Sequence, residues 1–138
     1  MFRKILLPVD MADRHVQALG IAAEMAGPEG EVVLLHVIEV IAGLTMEEEK
    51  PFYTRLEKAA RAHLAKLGSD LGARKVQSRA EIRFGNRVAE IAKYAADDVT
   101  DLIVLTAPRF APSDPAPSLG SMSYRVGLFA PCPVLLVK

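Results

Sequence analysis

The sequence predicts an α/β fold, a single doubly wound sandwich in which helices cover both faces of a five-stranded, mostly parallel sheet. Most of the predicted strands are short, nearly continuous apolar runs, which are typical of strands buried on both faces. Segments long enough for a helix separate these runs, as in right-handed βαβ units. No linker or repeat divides the 138 residues, so we expect one domain, 1–138.

The first third of the chain predicts strand, helix and strand. Residues 5–9 form the first apolar run. We expect Asp13 to be the N-cap of the helix that follows, and Gly27 with Pro28 to end that helix. Residues 32–38 are apolar apart from His36 and predict the second strand.

The middle of the chain predicts a long helix and an edge strand. Thr45 and Glu48 have the spacing of a capping box. The helix that follows carries one apolar stripe, made up of Tyr53, Leu56, Ala60, Leu64, Leu67 and Leu71. Residues 76–84 alternate apolar or small residues with charged or polar ones, which predicts a strand exposed on one face at a sheet edge.

The last third predicts two more helices and two more strands. Asn86 is the expected N-cap of a helix whose inward residues are Val88, Ile91, Ala92 and Ala95. Residues 102–105 predict a buried strand, residues 120–129 a final helix, and Val134–Val137 the fifth strand. Ligands of such sheets bind beyond the carboxyl ends of the strands. The segment 106–119, which contains four prolines, follows one of these ends.

Composition excludes several classes of function. Lysine plus arginine and aspartate plus glutamate both total 17, so the zero net charge argues against a nucleic-acid partner. The longest apolar stretch contains His36 and Glu39, which argues against insertion into a membrane. Cys132 is the single cysteine, and the three histidines lack ligand spacing, so we expect no disulfide and no metal site. We expect a cytoplasmic protein, and Cys132 to be a buried core thiol.

Four stretches carry a resemblance to a known family: 4–10 (KILLPVD), 34–38 (LLHVI), the unit from Gly85-Asn86 to residue 104, and Gly120-Ser121 followed by the end of the chain at APCPVLLV. Together they resemble the universal stress protein family over essentially the whole chain. The resemblance implies a five-stranded parallel sheet, a homodimer through the last strand, Val134–Val137, and a site for ATP or AMP in many members.

The resemblance also implies site residues. Asp10 would contact the ribose and the backbone of Val37 the adenine, with Pro8 and Met122 beside them. The N–H groups of Gly120 and Ser121, with the Ser121 and Ser123 hydroxyls, would hold an anion at a helix start. Two alternatives stay open from the residues themselves: Asp10 as a turn or cap residue, and Ser118 or Ser121 as a plain N-cap.

The chain departs from the family at its glycine motif, in which Gly, two residues, Gly and nine residues precede Gly-Ser or Gly-Thr. Counting back from Gly120 gives Ala107 and Phe110, or Thr106 and Arg109 with a one-residue shift. A Cβ at these positions obstructs the approach of phosphates to the backbone. We expect Phe110 to point into the cleft, and Arg109 is a candidate to replace the lost donors.

These observations predict a regulatory module of the stress response, not an efficient enzyme, whose degenerate site accepts AMP or a small anion more readily than ATP. Two alternatives remain. One is a genuine ATP-binding member with weak ATPase activity that uses a rearranged loop. The other is a protein-interaction scaffold with a vestigial pocket and an unidentified protein partner.

Overall fold

A computed structural model describes residues 2–40, 45, 47–107 and 121–138. Strands and helices alternate along the chain. They are β1 (Lys4–Pro8), α1 (Val16–Ala26), β2 (Glu31–Ile38), α2 (Lys50–Ala73), β3 (Gln77–Phe84), α3 (Arg87–Asp97), β4 (Leu102–Thr106), α4 (Met122–Phe129) and β5 (Val134–Val137).

The five strands form one sheet in the order β3-β2-β1-β4-β5, and every neighbouring pair is parallel. The predicted α/β fold with a parallel sheet is therefore confirmed. From β1 the chain adds β2 and then β3 on one side, and it then crosses to the other side of β1 to add β4 and β5. The direction in which strands are added therefore reverses between β1 and β4. At such a switch point the loops beyond the strand ends diverge and leave a crevice. The predicted edge position of β3 is also confirmed.

Helices cover both faces of the sheet, and each face has its own apolar core. Helices α1 and α2 pack on the face that includes Ile5 and Leu7, whereas α3 and α4 pack on the opposite face with Leu6. All three of these β1 side chains are fully buried. Because alternate residues of a strand point to opposite faces, a strand that is covered on both faces must be apolar throughout. This explains the continuous runs in the sequence.

The predicted N-cap of α1 is wrong. The helix begins at Val16 with His15 as the cap residue, and the Asp13 side chain is exposed and lies outside the helix. The loop before the helix is ordered instead by the Asp10 carboxylate, which accepts a hydrogen bond from the Ala12 N–H group at 2.9 Å. This turn leaves the His15 carbonyl to accept the first helical hydrogen bond and directs the His15 side chain inward.

The predicted apolar stripe of α2 faces the core except at one residue. Tyr53, Leu64 and Leu71 are buried, but Leu56 is 37% exposed. At 100° per residue, Leu56 lies about 60° from the centre of the stripe, so it sits at the margin. The capping box forms as predicted: the Glu48 N–H group donates to Thr45 Oγ1 at 3.1 Å, and Glu48 accepts from the Thr45 N–H group at 3.3 Å. It closes a turn before the helix, which begins only at Lys50.

Two other helix starts have side-chain caps. Asn86 Oδ1 accepts from the Ala89 N–H group at 3.0 Å, as predicted for α3. Ser121 Oγ accepts from the Tyr124 N–H group at 3.3 Å and caps α4. Within the described residues, no helix is both long enough and apolar enough to cross a membrane.

Candidate functional site

A cavity lies at the switch point, beyond the carboxyl ends of β1, β2 and β4. The space that atoms leave free there is about 350 Å³, including the part open to solvent. One wall is apolar, and we call it the apolar wall: Leu35, Val37, Ile91, Leu105 and Met122. Four polar lining residues are linked to one another by hydrogen bonds, and we call them the polar wall: Asp10, Arg14, His15 and Thr106.

The Asp10 carboxylate is the centre of the polar wall, and four hydrogen bonds reach it. Oδ1 lies 2.9 Å from the Ala12 nitrogen and 2.8 Å from His15 Nε2. Oδ2 accepts from two nitrogens of the Arg14 guanidinium, Nη2 at 2.7 Å and Nε at 3.0 Å. A carboxylate offers about four acceptor positions. All of them are therefore used within the protein.

Opposing effects act on the ionisation of Asp10. Burial by itself would raise the pKa of this carboxyl, but hydrogen bonds from Arg14, His15 and the Ala12 N–H group outweigh burial and hold the pKa far below its usual value. Asp10 is consequently a stable anion and a poor proton acceptor. Its charge also orients the two basic side chains that follow it in the loop.

His15 links the ends of β1 and β4. Its side chain is buried, with Nε2 against Asp10 and Nδ1 at 2.9 Å from Thr106 Oγ1. Nε2 also lies 3.1 Å from the Asp10 backbone nitrogen. The carboxylate oxygen is nearer and ionised, so we assign the ring proton to Nε2, and Nδ1 then accepts from the Thr106 hydroxyl. Burial lowers the pKa of His15, and the attraction of Asp10 opposes this only in part. The ring is therefore neutral at physiological pH.

Two arginines stand at the rim of the cavity. Arg14 is bound to Asp10, whereas Arg87 contacts Met122 Sδ at 3.9 Å and approaches Glu39 no closer than 4.0 Å. Arg87 is also the first residue of α3, where the helix dipole adds positive potential. The rim is therefore cationic, which favours an anionic ligand over a neutral or cationic one.

The structure brings together four of the predicted site residues: Pro8, Asp10, Val37 and Met122 all line the cavity. Ser121 caps α4, in agreement with its alternative interpretation, and neither Ser121 nor Ser123 is among the lining residues. The predictions for Arg109, Gly120 and the inward-pointing Phe110 fall outside the described residues. Asp10 is a turn residue, since it accepts from the Ala12 N–H group, and it lines the cavity as well.

Sequence reasoning missed the three basic lining residues, Arg14, His15 and Arg87, and considered Thr106 only as a displaced motif position. A signal existed for His15 and Arg14, because both follow Asp10 within five residues, on the loop beyond a buried strand. In an open α/β sheet, polar residues on such a loop are candidates for the site whatever their mutual spacing.

Two other predictions concern the sulfur and metal chemistry. Cys132 is half-buried, not fully buried, and burial together with the nearby Asp101 charge raises the pKa of its thiol. It is consequently protonated and unreactive at neutral pH. Across residues 2–40, 45, 47–107 and 121–138, no three His, Cys, Asp or Glu side chains meet in a way that would hold a metal ion.

Comparison with known proteins decides the family. The model of the universal stress protein family matches residues 1–138. The chain belongs to the universal stress protein family. No curated protein sequence matches it.

Solved structures agree with this assignment. The hypothetical protein MJ0577 is 27% identical, with a TM-score of 0.82 over 100% of this chain and 96% of that one. Universal stress protein UspA from Lactobacillus plantarum is 26% identical, with a TM-score of 0.78 over 99% and 98%. The universal stress protein from Archaeoglobus fulgidus in complex with dAMP is 20% identical, with a TM-score of 0.75 over 99% and 98%. This last similarity concerns the fold.

Proposed function

We propose that this universal stress protein is a cytoplasmic regulatory module that binds an adenine nucleoside monophosphate, such as AMP, at the switch-point cavity. The observation that carries the proposal is the joining of Pro8, Asp10, Val37 and Met122 around one cavity with a cationic rim. In this arrangement the flat face of the base packs on the apolar wall, the ribose lies toward Asp10, and the phosphate lies toward Arg87. Complexes of universal stress proteins with dAMP, cAMP and AMP support this choice of ligand.

The preference for a monophosphate over ATP rests on the glycine motif. Of its three glycines, the sequence retains only Gly120. In the shifted alignment, Thr106 takes the first position, and its side chain extends into the polar wall and bonds to His15. Losing two charge-assisted hydrogen bonds to phosphate costs about 3–6 kcal/mol, which changes micromolar binding to about millimolar or weaker. A single phosphate depends far less on that loop.

A binding role without turnover is supported by the state of the two groups that could activate water. Asp10 has all its acceptor positions filled and a strongly lowered pKa. Both nitrogens of His15 are engaged, and the side chain is buried. A general base needs an accessible lone pair within reach of the water that it deprotonates. Neither group offers one, so we propose that the protein does not hydrolyse its ligand efficiently.

The binding proposal is tested by blocking the cavity from the α4 side. Met122→Trp places a large ring in the apolar wall, whereas Leu128→Trp puts the same ring at a position on α4 that is 61% exposed. In calorimetric titrations we expect wild type and the Leu128 variant to bind AMP equally, and the Met122 variant to bind at least tenfold more weakly. Equal affinities in all three would place AMP elsewhere, and the absence of heat with wild type would leave the scaffold alternative.

We further propose a homodimer through β5. This strand lies at the edge of the sheet, so one row of its backbone groups has no neighbouring strand within the described sheet. Leu135 and Leu136 are 37% and 41% exposed, which is unusual for leucines in a strand. In sedimentation, Leu136→Lys should convert a dimer to a monomer, and Leu56→Lys, at a similarly exposed leucine on α2, should not. A monomeric wild type would contradict this proposal.

A further inference from the structure

The guanidinium of Arg14 occupies the side of Asp10 that a ligand would use. Arg14 and Asp10 both line the cavity, and the guanidinium donates through Nη2 and Nε to the single oxygen Oδ2, at 2.7 and 3.0 Å. The other oxygen, Oδ1, is held by the backbone of Ala12 and by the buried His15 ring. Oδ2 is therefore the oxygen that can be released without disturbing the loop or the core.

We propose that Arg14 is an intramolecular competitor of the ligand: it must leave Asp10 before the ribose hydroxyls can bind there, and it thereby sets the affinity of the site. This inference rests on the proposed function, in which Asp10 receives the ribose. It follows from the acceptor count, because a carboxylate with about four acceptor positions cannot add a hydroxyl to four existing bonds. One partner has to be exchanged.

Exposure indicates which partner is exchanged. The Arg14 side chain is 46% exposed, whereas that of His15 is 5% exposed. An exposed Arg–carboxylate pair is a weak interaction, and its loss is compensated by hydration of the guanidinium. Breaking the His15 bond would instead leave a buried ring nitrogen without its partner, which is more costly. Arg14 is therefore the displaceable partner, while His15 fixes the carboxylate in place.

The size of the effect follows from the population of the closed pair. If the pair contributes as much as a typical exposed ion pair, the fraction of molecules with Asp10 open is about 0.15–0.4. Apparent affinity falls in proportion to the competent fraction. Removing Arg14 should accordingly tighten binding of a ribose-containing ligand by about two- to sixfold.

The test compares Arg14→Ala with a matched control. Arg61→Ala removes another exposed arginine that pairs with a carboxylate four residues away, Glu57 at 3.1 Å on α2, which does not line the cavity. Adenosine and AMP are titrated calorimetrically into wild type and both variants. We expect adenosine to bind the Arg14 variant two- to sixfold more tightly than wild type, with no change in the Arg61 variant. Thermal unfolding checks that both variants are folded.

The other outcomes can be told apart, and three of them overturn the inference. If Arg14→Ala weakens AMP but leaves adenosine unchanged, Arg14 is a phosphate ligand and not a competitor. If wild type binds and the variant binds equally, Asp10 does not receive the ribose in exchange for Arg14, although the proposed function stands. If neither adenosine nor AMP binds wild type or the variant, both proposals fail. If adenosine binds the Arg14→Ala variant but not wild type, the result supports competition by Arg14.

A second variant separates the loss of the pair from other effects of the substitution. In an Asp10→Asn background the guanidinium no longer faces a carboxylate, so the competition has been removed. Adding Arg14→Ala there should produce no further gain in adenosine affinity. A gain of the same size in both backgrounds would show that Arg14 obstructs the cavity sterically, and would refute competition for Asp10.

Discussion

His15 should make the stability of this protein depend on pH. Burial lowers the pKa of its ring in the folded state below the value of 6.5 that applies when the ring is solvated. The unfolded chain therefore takes up a proton at a higher pH than the folded protein does. The unfolding free energy is at its full value above pH 6.5 and decreases as the pH falls from there toward the folded-state pKa.

The magnitude follows from linkage. Protonation of the unfolded chain between pH 6.5 and pH 5.5 removes at most about 1 kcal/mol of stability, and proton uptake by the folded ring reduces this loss. His15→Gln keeps a polar side chain but cannot titrate. At pH 7.5 this variant should be about 1–2 kcal/mol less stable than wild type, because it loses well-placed hydrogen bonds to Thr106 and Asp10.

The assay is urea unfolding of both proteins at pH 7.5, 6.5 and 5.5. All other titrating groups are shared, so the difference between the two proteins isolates His15. We expect the stability advantage of wild type to narrow between pH 6.5 and pH 5.5, by at most about 1 kcal/mol. A constant difference over this range would refute the reasoning, since it would mean that the folded ring binds protons as readily as the unfolded one.

Three further substitutions test the fold. Asn86→Ala removes the cap on the Ala89 N–H group and should lower the unfolding free energy by about 1 kcal/mol, with Asn86→Asp as the conservative control; an unchanged urea midpoint would contradict the role of the cap. Val99 has φ +52°, which is unfavourable for a β-branched residue, and its side chain is 76% exposed. Val99→Gly should therefore increase the unfolding free energy by about 1 kcal/mol and raise the melting temperature, and a lower melting temperature would contradict this reasoning. Ile103 of β4 is fully buried, so Ile103→Val should lower the unfolding free energy by about 0.5–1.5 kcal/mol in urea unfolding, and no loss would argue against tight packing there.

The fold could be predicted from the sequence because burial on both faces leaves a direct trace. Strand β4 reads LIVL with every residue buried, and no polar alternation obscures it. The edge strand β3 was recognisable for the opposite reason: Arg79 and Arg83 are exposed, Glu81 is partly exposed, and Ile82 is the one buried residue of the strand. These local patterns predict the strands, and the preference for right-handed crossovers limits the orders in which the strands can be arranged in the sheet.

The polar wall could be predicted only in part. Asp10 was found through the resemblance, but the partners that fill its acceptor positions depend on the turn at Ala12, which places Arg14 and His15 on the same carboxylate. A helix start predicted at Asp13 implied a different loop. The bond from His15 to Thr106 joins residues 91 positions apart, and no spacing rule within the sequence brings these two together.

Whether the site prefers a monophosphate is tested most directly by titrating wild-type protein with AMP and, separately, with magnesium–ATP in the same buffer. Asp10 and Val37 line the cavity, and of the three glycines of the motif the sequence has only Gly120. We therefore expect AMP to bind, and magnesium–ATP to bind no more tightly than AMP. If magnesium–ATP binds at micromolar concentration and more tightly than AMP, the proposed preference for a monophosphate is contradicted and the ATP-binding alternative is favoured.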